Sequence, residues 1–450
     1  MAAANRWDKY NKTAEVDTPE SKRLRQQQLN AVQNFFVTKE KQAHDLAQKD
    51  GKKFLAEVQS FFNAGIKANW RKMNNIYWDL RKRSYQFEGT SNDERLAVTY
   101  WQCINESYCA YEQVASGEPK YVQAMVDDVI SSIPTGSIYF GGTDPGRFLI
   151  SAFSKSHVKG DPFFTLTPNA LADGLYLQYL SNMYGGKIYT PTPEDSQRCF
   201  NEYLEDAGRR NKSKQLKPGE DYKDVDGQIQ ISGLVAVMSI NALLVKTMVE
   251  KNTDREFYLE EGFPLDWMYP HLEPHGLIMK INRQPLKELS ENLIQKDQNY
   301  WQPRMAEMVG DWLKEDTSVK TVAEFAEKIY LRKNLKDFKG DPQFVKNEDS
   351  QKTFSKLRAS IGGVYAWRVA NATGPEEQSR MIRAADFAFR QSVALSPNSP
   401  EAVFRYVNLL LSQNRIADAI LVAKICQKLD PENTSFKALV EQLEQMKKNK

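Results

Sequence analysis

The residues best suited to chemistry stand together in Gly141-Gly142-Thr143-Asp144-Pro145-Gly146-Arg147-Phe148. They follow Ser137-Ile138-Tyr139-Phe140, whose β-branched and aromatic side chains predict a strand. Ligands of α/β sheets sit outside the carboxyl ends of strands. A strand running through a Gly-rich turn into a helix places backbone N–H groups and the positive end of a helix dipole there. Gly141, Gly142 and Gly146 permit tight turning and close approach, while Thr143, Asp144 and Arg147 offer a hydroxyl, a carboxylate and a guanidinium to a sugar hydroxyl or an anion. Asn169, at the end of the next predicted strand in Pro162–Pro168, completes the candidate ligand set. The spacing matches neither a Walker A loop nor GxGxxG, so no nucleotide motif is present. The same stretch also reads as a structural corner in which Asp144 caps the helix that follows.

Other chemistry-bearing residues are sparse. His271 and His275 stand four apart, a spacing that puts two metal ligands on one helical face. Pro274 interrupts that turn and no third ligand accompanies the pair, so a Pro-rich structural corner is expected. Glu260, Glu261 and Asp266 crowd another predicted strand end, where carboxylates serve acid–base work or a helix start. Cys103, Cys109, Cys199 and Cys426 are too scattered for a zinc ribbon or a redox pair and are expected as free thiols, consistent with a reducing compartment. No Gly-x-Ser-x-Gly elbow, P-loop, HExxH or CxxC pair occurs, which argues against the common hydrolases, NTPases and metalloproteases. No catalytic residue, metal or cofactor is assigned.

The elements that must position these residues belong to a chain of 450 residues, with 41% hydrophobic and 26% charged side chains, long enough for two or three ordinary globular domains. A net charge of +3 from 61 basic and 58 acidic residues gives no global field for nucleic acid or an anionic membrane. The segment through Phe87 is basic, with 17 Lys or Arg against 9 Asp or Glu. Its charges predict a solvated helix face or a phosphate- or partner-binding one, and no recognised nucleic-acid module accompanies them. No apolar run reaches the roughly 18 residues of a transmembrane span. The opening Met-Ala-Ala-Ala-Asn-Arg-Trp lacks the apolar core of a secretory signal, so the bare sequence reads as cytoplasmic, or as extracytoplasmic if a leader or anchor lies outside this chain.

Apolar residues recur at three and four from Thr18 to Ser116, with Thr18 and Pro19 as a helix start and breakers at Lys49–Lys53 and Glu88–Asp93. Phe35, Phe36, Phe61, Phe62, Trp70, Tyr77 and Trp78 are expected as core between these helices. From Val122 short strand-like runs alternate with helical ones, the α/β pattern. Strands are expected in Ser137–Gly142, Pro162–Pro168, Gly186–Thr192, Gly227–Ser232, Glu256–Gly262 and Gly276–Asn282, with helices between them, one of them over Pro264–Leu272. Polar helices follow, then an exposed linker over Lys333–Gln351. The expected fold is α/β with large all-α parts: a helical segment (1–120), a Rossmann-like sheet domain (121–290), a helical connector (291–349) and C-terminal helical hairpins with a capping helix (350–450).

Pro400 to Asn433 forms one 34-residue unit: two predicted helices, a polar turn at Ser412–Arg415, small Ala419 and Ala423 at the crossing, and a closing Asp-Pro. It resembles a tetratricopeptide repeat. A second unit lies before it, with Gly362 and Tyr365 on its first helix and Ala385 and Phe389 on its second, departing from the pattern by an eleven-residue insertion, Ala370–Arg380. The resemblance covers about the last 95 residues and implies a groove that docks peptides or other subunits, here with Tyr365, Arg405 and Asn408 toward a protein partner. The order Pro-x-Gly-Ser-Ile-Tyr-Phe-Gly-Gly-Thr-Asp-Pro-Gly-Arg-Phe followed by Pro-Phe-Phe-Thr-Leu-Thr-Pro-Asn is similar to the soluble portion of an uncharacterised bacterial family of multi-pass membrane proteins whose membrane part looks like a lipid-linked sugar transferase. That resemblance places Asp144 on the acidic position of the family's loop, whose second acid is missing here. It implies a sugar- or nucleotide-sugar-binding accessory of envelope glycan synthesis. The expected function is that of a non-catalytic assembly or adaptor protein docking partners through its repeats. The sugar-handling role, with a sugar or an anionic small molecule at Gly141–Arg147, is the alternative.

Overall fold

A computed structural model describes residues 18–84, 93–154, 156, 160–217, 219–225, 228–261 and 267–449. The first residues of the chain, most of the breaker before Asp93, and Asp266 lie outside them. In chain order the elements are α1 (Pro19–Lys49), α2 (Ala56–Ile66), α3 (Trp70–Arg83), α4 (Trp101–Ser116), α5 (Pro119–Ser132), β1 (Ile138–Phe140), α6 (Ile150–Ser154), β2 (Phe164–Leu166), α7 (Gly174–Tyr184), α8 (Pro193–Lys212), β3 (Asp221–Val225), β4 (Gln228–Ser232), α9 (Leu234–Lys251) and β5 (Phe257–Leu259). They continue with β6 (Leu272–His275), β7 (Ile278–Ile281), α10 (Glu291–Val309), α11 (Val319–Ala326), α12 (Pro342–Lys346), α13 (Glu348–Ala370), α14 (Pro375–Leu395), α15 (Pro400–Ser412), α16 (Ile416–Leu429) and α17 (Thr434–Lys448). The fold is α/β with large all-α parts, around a small mixed sheet of order β2–β1–β5–β7–β6 and a separate β3–β4 hairpin. The chain divides into two compact units. Unit 1 takes Met1–Pro119 and Ile133–Tyr258; unit 2 takes Lys120–Ser132, Leu259–Gly262 and Asp266–Lys450.

Unit 1 opens on the helix start read from Thr18: its hydroxyl accepts from the Ser21 N–H at 3.1 Å, and Pro19 occupies the first turn where no amide is needed. Phe35, Phe36, Phe61, Phe62 and Tyr77 are buried between α1, α2, α3 and α4, and Tyr77 stacks on Tyr108 with ring centroids 3.5 Å apart. Two of the basic residues that suggested a solvated face are inside. Arg25 donates to the carbonyls of Val114, Ala115 and Gly117, satisfying the C-terminal end of α4, where the helix dipole favours a cation. Lys39 is buried with Glu106 at 2.6 Å, and the Tyr179 hydroxyl bridges both.

β1 and β2 run parallel with Phe140 opposite Leu166, so their carboxyl ends lie side by side. Gly186–Thr192, expected as a strand, opens as a turn at Gly186, whose φ is +78°, and joins no ladder: the side chain of Asn252 takes both the N–H and the carbonyl of Tyr189. Asp221–Val225, too polar to read as a strand, pairs antiparallel with β4 in full register.

In unit 2 the expected helix over Pro264–Leu272 is replaced, within the described residues, by a single 3₁₀ turn at Tyr269–His271 and the strand β6. The prolines at 270 and 274 remove the amides a helix would need. β6 returns antiparallel as β7 through Gly276, whose φ of +66° suits glycine. Nor is Lys333–Gln351 a free linker, because it holds α12. Phe344 there is fully buried, packed against Tyr121 and Phe354, and Asn347 caps α13 by accepting from the Ser350 N–H at 2.8 Å. Most of the Ala370–Arg380 insertion is helical: only Asn371–Gly374 separates α13 from α14, so the added residues lengthen this hairpin instead of forming a loop.

Candidate functional site

Gly141–Arg147 leaves β1 as a braced turn. The Gly141 N–H donates to Leu166 at the end of β2, at 2.9 Å, and the Tyr139 hydroxyl donates to the Gly146 carbonyl at 3.1 Å. The chain then enters one wide π turn, Pro145–Leu149, that runs into α6. Asp144 does not cap this turn, contrary to the structural-corner expectation. The cap is Thr143, whose hydroxyl accepts from the Gly146 N–H at 3.1 Å, while the Asp144 carboxylate takes the Arg147 guanidinium at 2.6 Å. Arg147 also lies 4.5 Å over the Phe148 ring, and its Nε is buried with no hydrogen-bond partner among the described residues. Glycine at 141 is required by space: a Cβ there would stand 2.8 Å from Arg147 Cα and 2.9 Å from the Gly146 carbonyl oxygen.

Under the loop lies Cys109. Burial is the main force pushing its thiol far above the ordinary range; the carboxylates of Glu112 and Asp144 add to that, and Arg147 and Arg81 offset part of it. All four cysteines are buried and free. Asn169 sits in the turn after β2, beside the same strand ends. Its side chain is exposed, while its carbonyl accepts from the Asn241 amide at 2.9 Å. The two strand-end loops are thus brought to one edge, but the Asp144–Arg147 charges are spent largely on each other.

The remaining candidates lie in unit 2. His271 Nδ1 is 2.7 Å from the Asn282 carbonyl and His275 Nε2 is 2.8 Å from the Ser132 carbonyl, so the two rings brace separate backbone groups. Among the described residues no group of three or more His, Cys, Asp or Glu side chains is placed to hold a metal ion. Glu260 is buried, and with Glu261 and Glu401 it faces Lys356. Burial alone would lower the Lys356 ammonium, yet these carboxylates outweigh it and raise it. Tyr365 lies inside the unit, 1% exposed, its hydroxyl donating to Asp297 at 2.8 Å. Arg405 is half-buried on α15, with Nη1 3.4 Å from the Ser360 hydroxyl, and Asn408, one turn on, is exposed.

Sequence reading missed buried ion pairs, among them Lys39–Glu106 in unit 1 and Arg358–Asp297 in unit 2. A signal was available. Lys39 falls on the apolar stripe Val32, Phe35, Phe36, Ala43 and Leu46 of α1, and Asp297 on the stripe Ile294, Trp301, Met305 and Met308 of α10. A charge at a stripe position implies a buried partner.

Among the described residues no helix is long and apolar enough to cross a membrane. Comparison with protein-family models, with curated proteins and with solved structures returned no match.

Proposed function

We propose that this chain is a non-catalytic assembly protein that docks a protein partner on the exposed face of its C-terminal hairpins, at Arg405 and Asn408. The supporting observation is the division of labour along α13 and α15. The α13 candidate, Tyr365, is consumed by the internal Asp297–Arg358 pair, whereas on α15 Asn408 is exposed and Arg405 stays half in solvent, with one Nη 3.4 Å from the Ser360 hydroxyl. The tetratricopeptide resemblance supports it too. Ala419 and Ala423 of α16 are fully buried, and glycine at 362 admits the Phe389 ring of α14. Removing everything after Asp349 would break the core of unit 2, so the test uses the full chain. Affinity capture from the native cells is compared between wild type and Arg405→Glu/Asn408→Ala, both folded by circular dichroism. A stoichiometric partner lost in the variant supports docking at this face; equal capture refutes it.

A second reading keeps a sugar- or nucleotide-sugar-binding role at the carboxyl ends of the Rossmann-like parallel pair β1 and β2. It is favoured by the unpartnered Nε of Arg147 behind the Asp144 carboxylate. Titration with a uridine diphosphate sugar, saturable in wild type and lost in Asp144→Ala, is its expected outcome; no saturable binding excludes it.

A further inference from the structure

Unit 1 holds a cleft of about 710 Å³ that none of the residues above explains. Its volume falls within the roughly 300–1,000 Å³ of small-molecule sites. One wall is α7, the other the N-terminal half of α8 with the extended segment before it, and Ile240 of α9 contributes to the lining.

The walls are pinned by side-chain amides. Asn241 accepts from the Ala172 N–H at 2.7 Å and donates to the Asn169 carbonyl, and Asn252 holds Tyr189 at both backbone groups. A cleft so braced does not have to be ordered when a ligand enters.

The lining is chemically selective. None of its thirteen residues is charged. The helix N-termini beside it, which could otherwise attract an anion, already carry acids: Asp173 caps α7, and Glu194 and Asp195 fill the first turn of α8. What the cleft does present is four hydroxyls (Ser181, Thr190, Ser196 and Thr192, the last also accepting from the Asp195 N–H), two primary amides (Gln178 and Gln197, which give one N–H each, to Asp50 and Asn201 respectively) and the ring of Phe200. Phe200 is 40% exposed, an unusual placement for a phenylalanine. Hydroxyls and amides both donate and accept, as a ring of sugar hydroxyls does, and an exposed aromatic face suits the apolar C–H face of a pyranose.

We propose that this cleft binds a neutral polyhydroxylated ligand, a hexose or short oligosaccharide. A sugar face stacks on Phe200, and the sugar hydroxyls bond to Ser181, Thr190, Ser196 and the two glutamines. The site is distinct from the Gly141–Arg147 loop and from the repeat face, and it stands or falls separately from both docking and nucleotide-sugar binding.

The test is calorimetric titration, with saturation-transfer NMR, of the full chain against maltose, cellobiose and N,N′-diacetylchitobiose, with glucose 6-phosphate as the charged control. At least one neutral disaccharide should bind saturably, and the phosphate at least about tenfold more weakly. Phe200→Ala should weaken the disaccharide at least about tenfold, whereas Phe200→Trp, which keeps an aromatic face, should retain it. Because Phe200 is already partly in solvent, both variants should keep the wild-type melting temperature, which separates lost binding from lost folding. No saturable binding of any of the three disaccharides, equal affinity for the charged control, or undiminished binding in Phe200→Ala would overturn the proposal.

Discussion

Arg358 and Asp297 meet inside unit 2 with both side chains only 1% exposed. Arg358 Nη1 lies 2.9 and 2.7 Å from the two carboxylate oxygens, and its Nε donates to Gln391 at 2.7 Å. The Tyr365 hydroxyl gives a third hydrogen bond to the carboxylate, and the guanidinium sits 5.1 Å over the Trp301 ring. Asp297→Ala leaves a guanidinium with no counter-charge in a place water does not reach, and breaking a buried pair in this way costs about 3–5 kcal/mol. For a unit of roughly 200 residues, each kcal/mol moves the melting temperature by about 2–4 °C, so the expected drop is about 6–20 °C. Replacing the pair and Tyr365 by apolar groups of similar volume, Asp297→Leu/Arg358→Met/Tyr365→Phe, removes the stranded charge and the stranded hydroxyl together and leaves only the neutral Gln391 amide of the cluster. It should recover most of the loss. Differential scanning calorimetry of the full-length variants reads both. A drop below about 3 °C for Asp297→Ala, or a triple variant no more stable than the single one, would show that the pair is not sealed from solvent and that the reasoning fails.

Three further outcomes are expected. Burial alone would raise the Glu220 carboxyl, but hydrogen bonds from Arg210, Tyr203 and the Lys217 N–H outweigh it and hold it at about 2, below its ordinary 4.5. Its contribution to stability is therefore present above about pH 4.5 and is lost as pH falls toward 2, and the gap in urea midpoint between wild type and Glu220→Gln should narrow across that window. Gly141→Ala forces a Cβ against the backbone of Gly146 and Arg147 and should cost about 1–3 kcal/mol by urea denaturation. Gly174→Ala, with nothing within 4 Å of the new atom, should stay near neutral. Burial pushes the Cys103 thiol up to about 12 and the other three thiols upward as well, so a disulfide reagent should titrate none of the four in the native protein and all four in denaturant.

Local signals carried a good deal of this molecule. Thr18-Pro19 announced the start of α1, the three- and four-residue recurrence of apolar residues such as Val32, Phe35 and Phe36 announced a helical core, and the β-branched and aromatic runs at Ile138, Phe164 and Ile278 announced strands. Each depends on residues close in sequence, where capping, periodicity and side-chain shape act directly. The Gly-rich loop was legible as a tight turn at a strand end for the same reason. That Thr143 caps it while Asp144 turns to Arg147 was not, because the choice between two neighbouring acceptors depends on how the π turn is wound.

What the tertiary structure alone decided is which polar groups are spent inside and which remain for a ligand or partner. Asn252 captures the backbone of Tyr189 from 63 residues away and turns a predicted strand into the wall of a cleft. Asp297 withdraws Tyr365 from the repeat face, Glu106 withdraws Lys39 from a basic helix, and the Ala172 and Asn169 backbone is pinned from α9. A side chain's identity sets its hydrogen-bonding capacity. Whether that capacity is filled depends on which distant group packing delivers within about 3 Å, because a buried polar group left without a partner is too costly to keep.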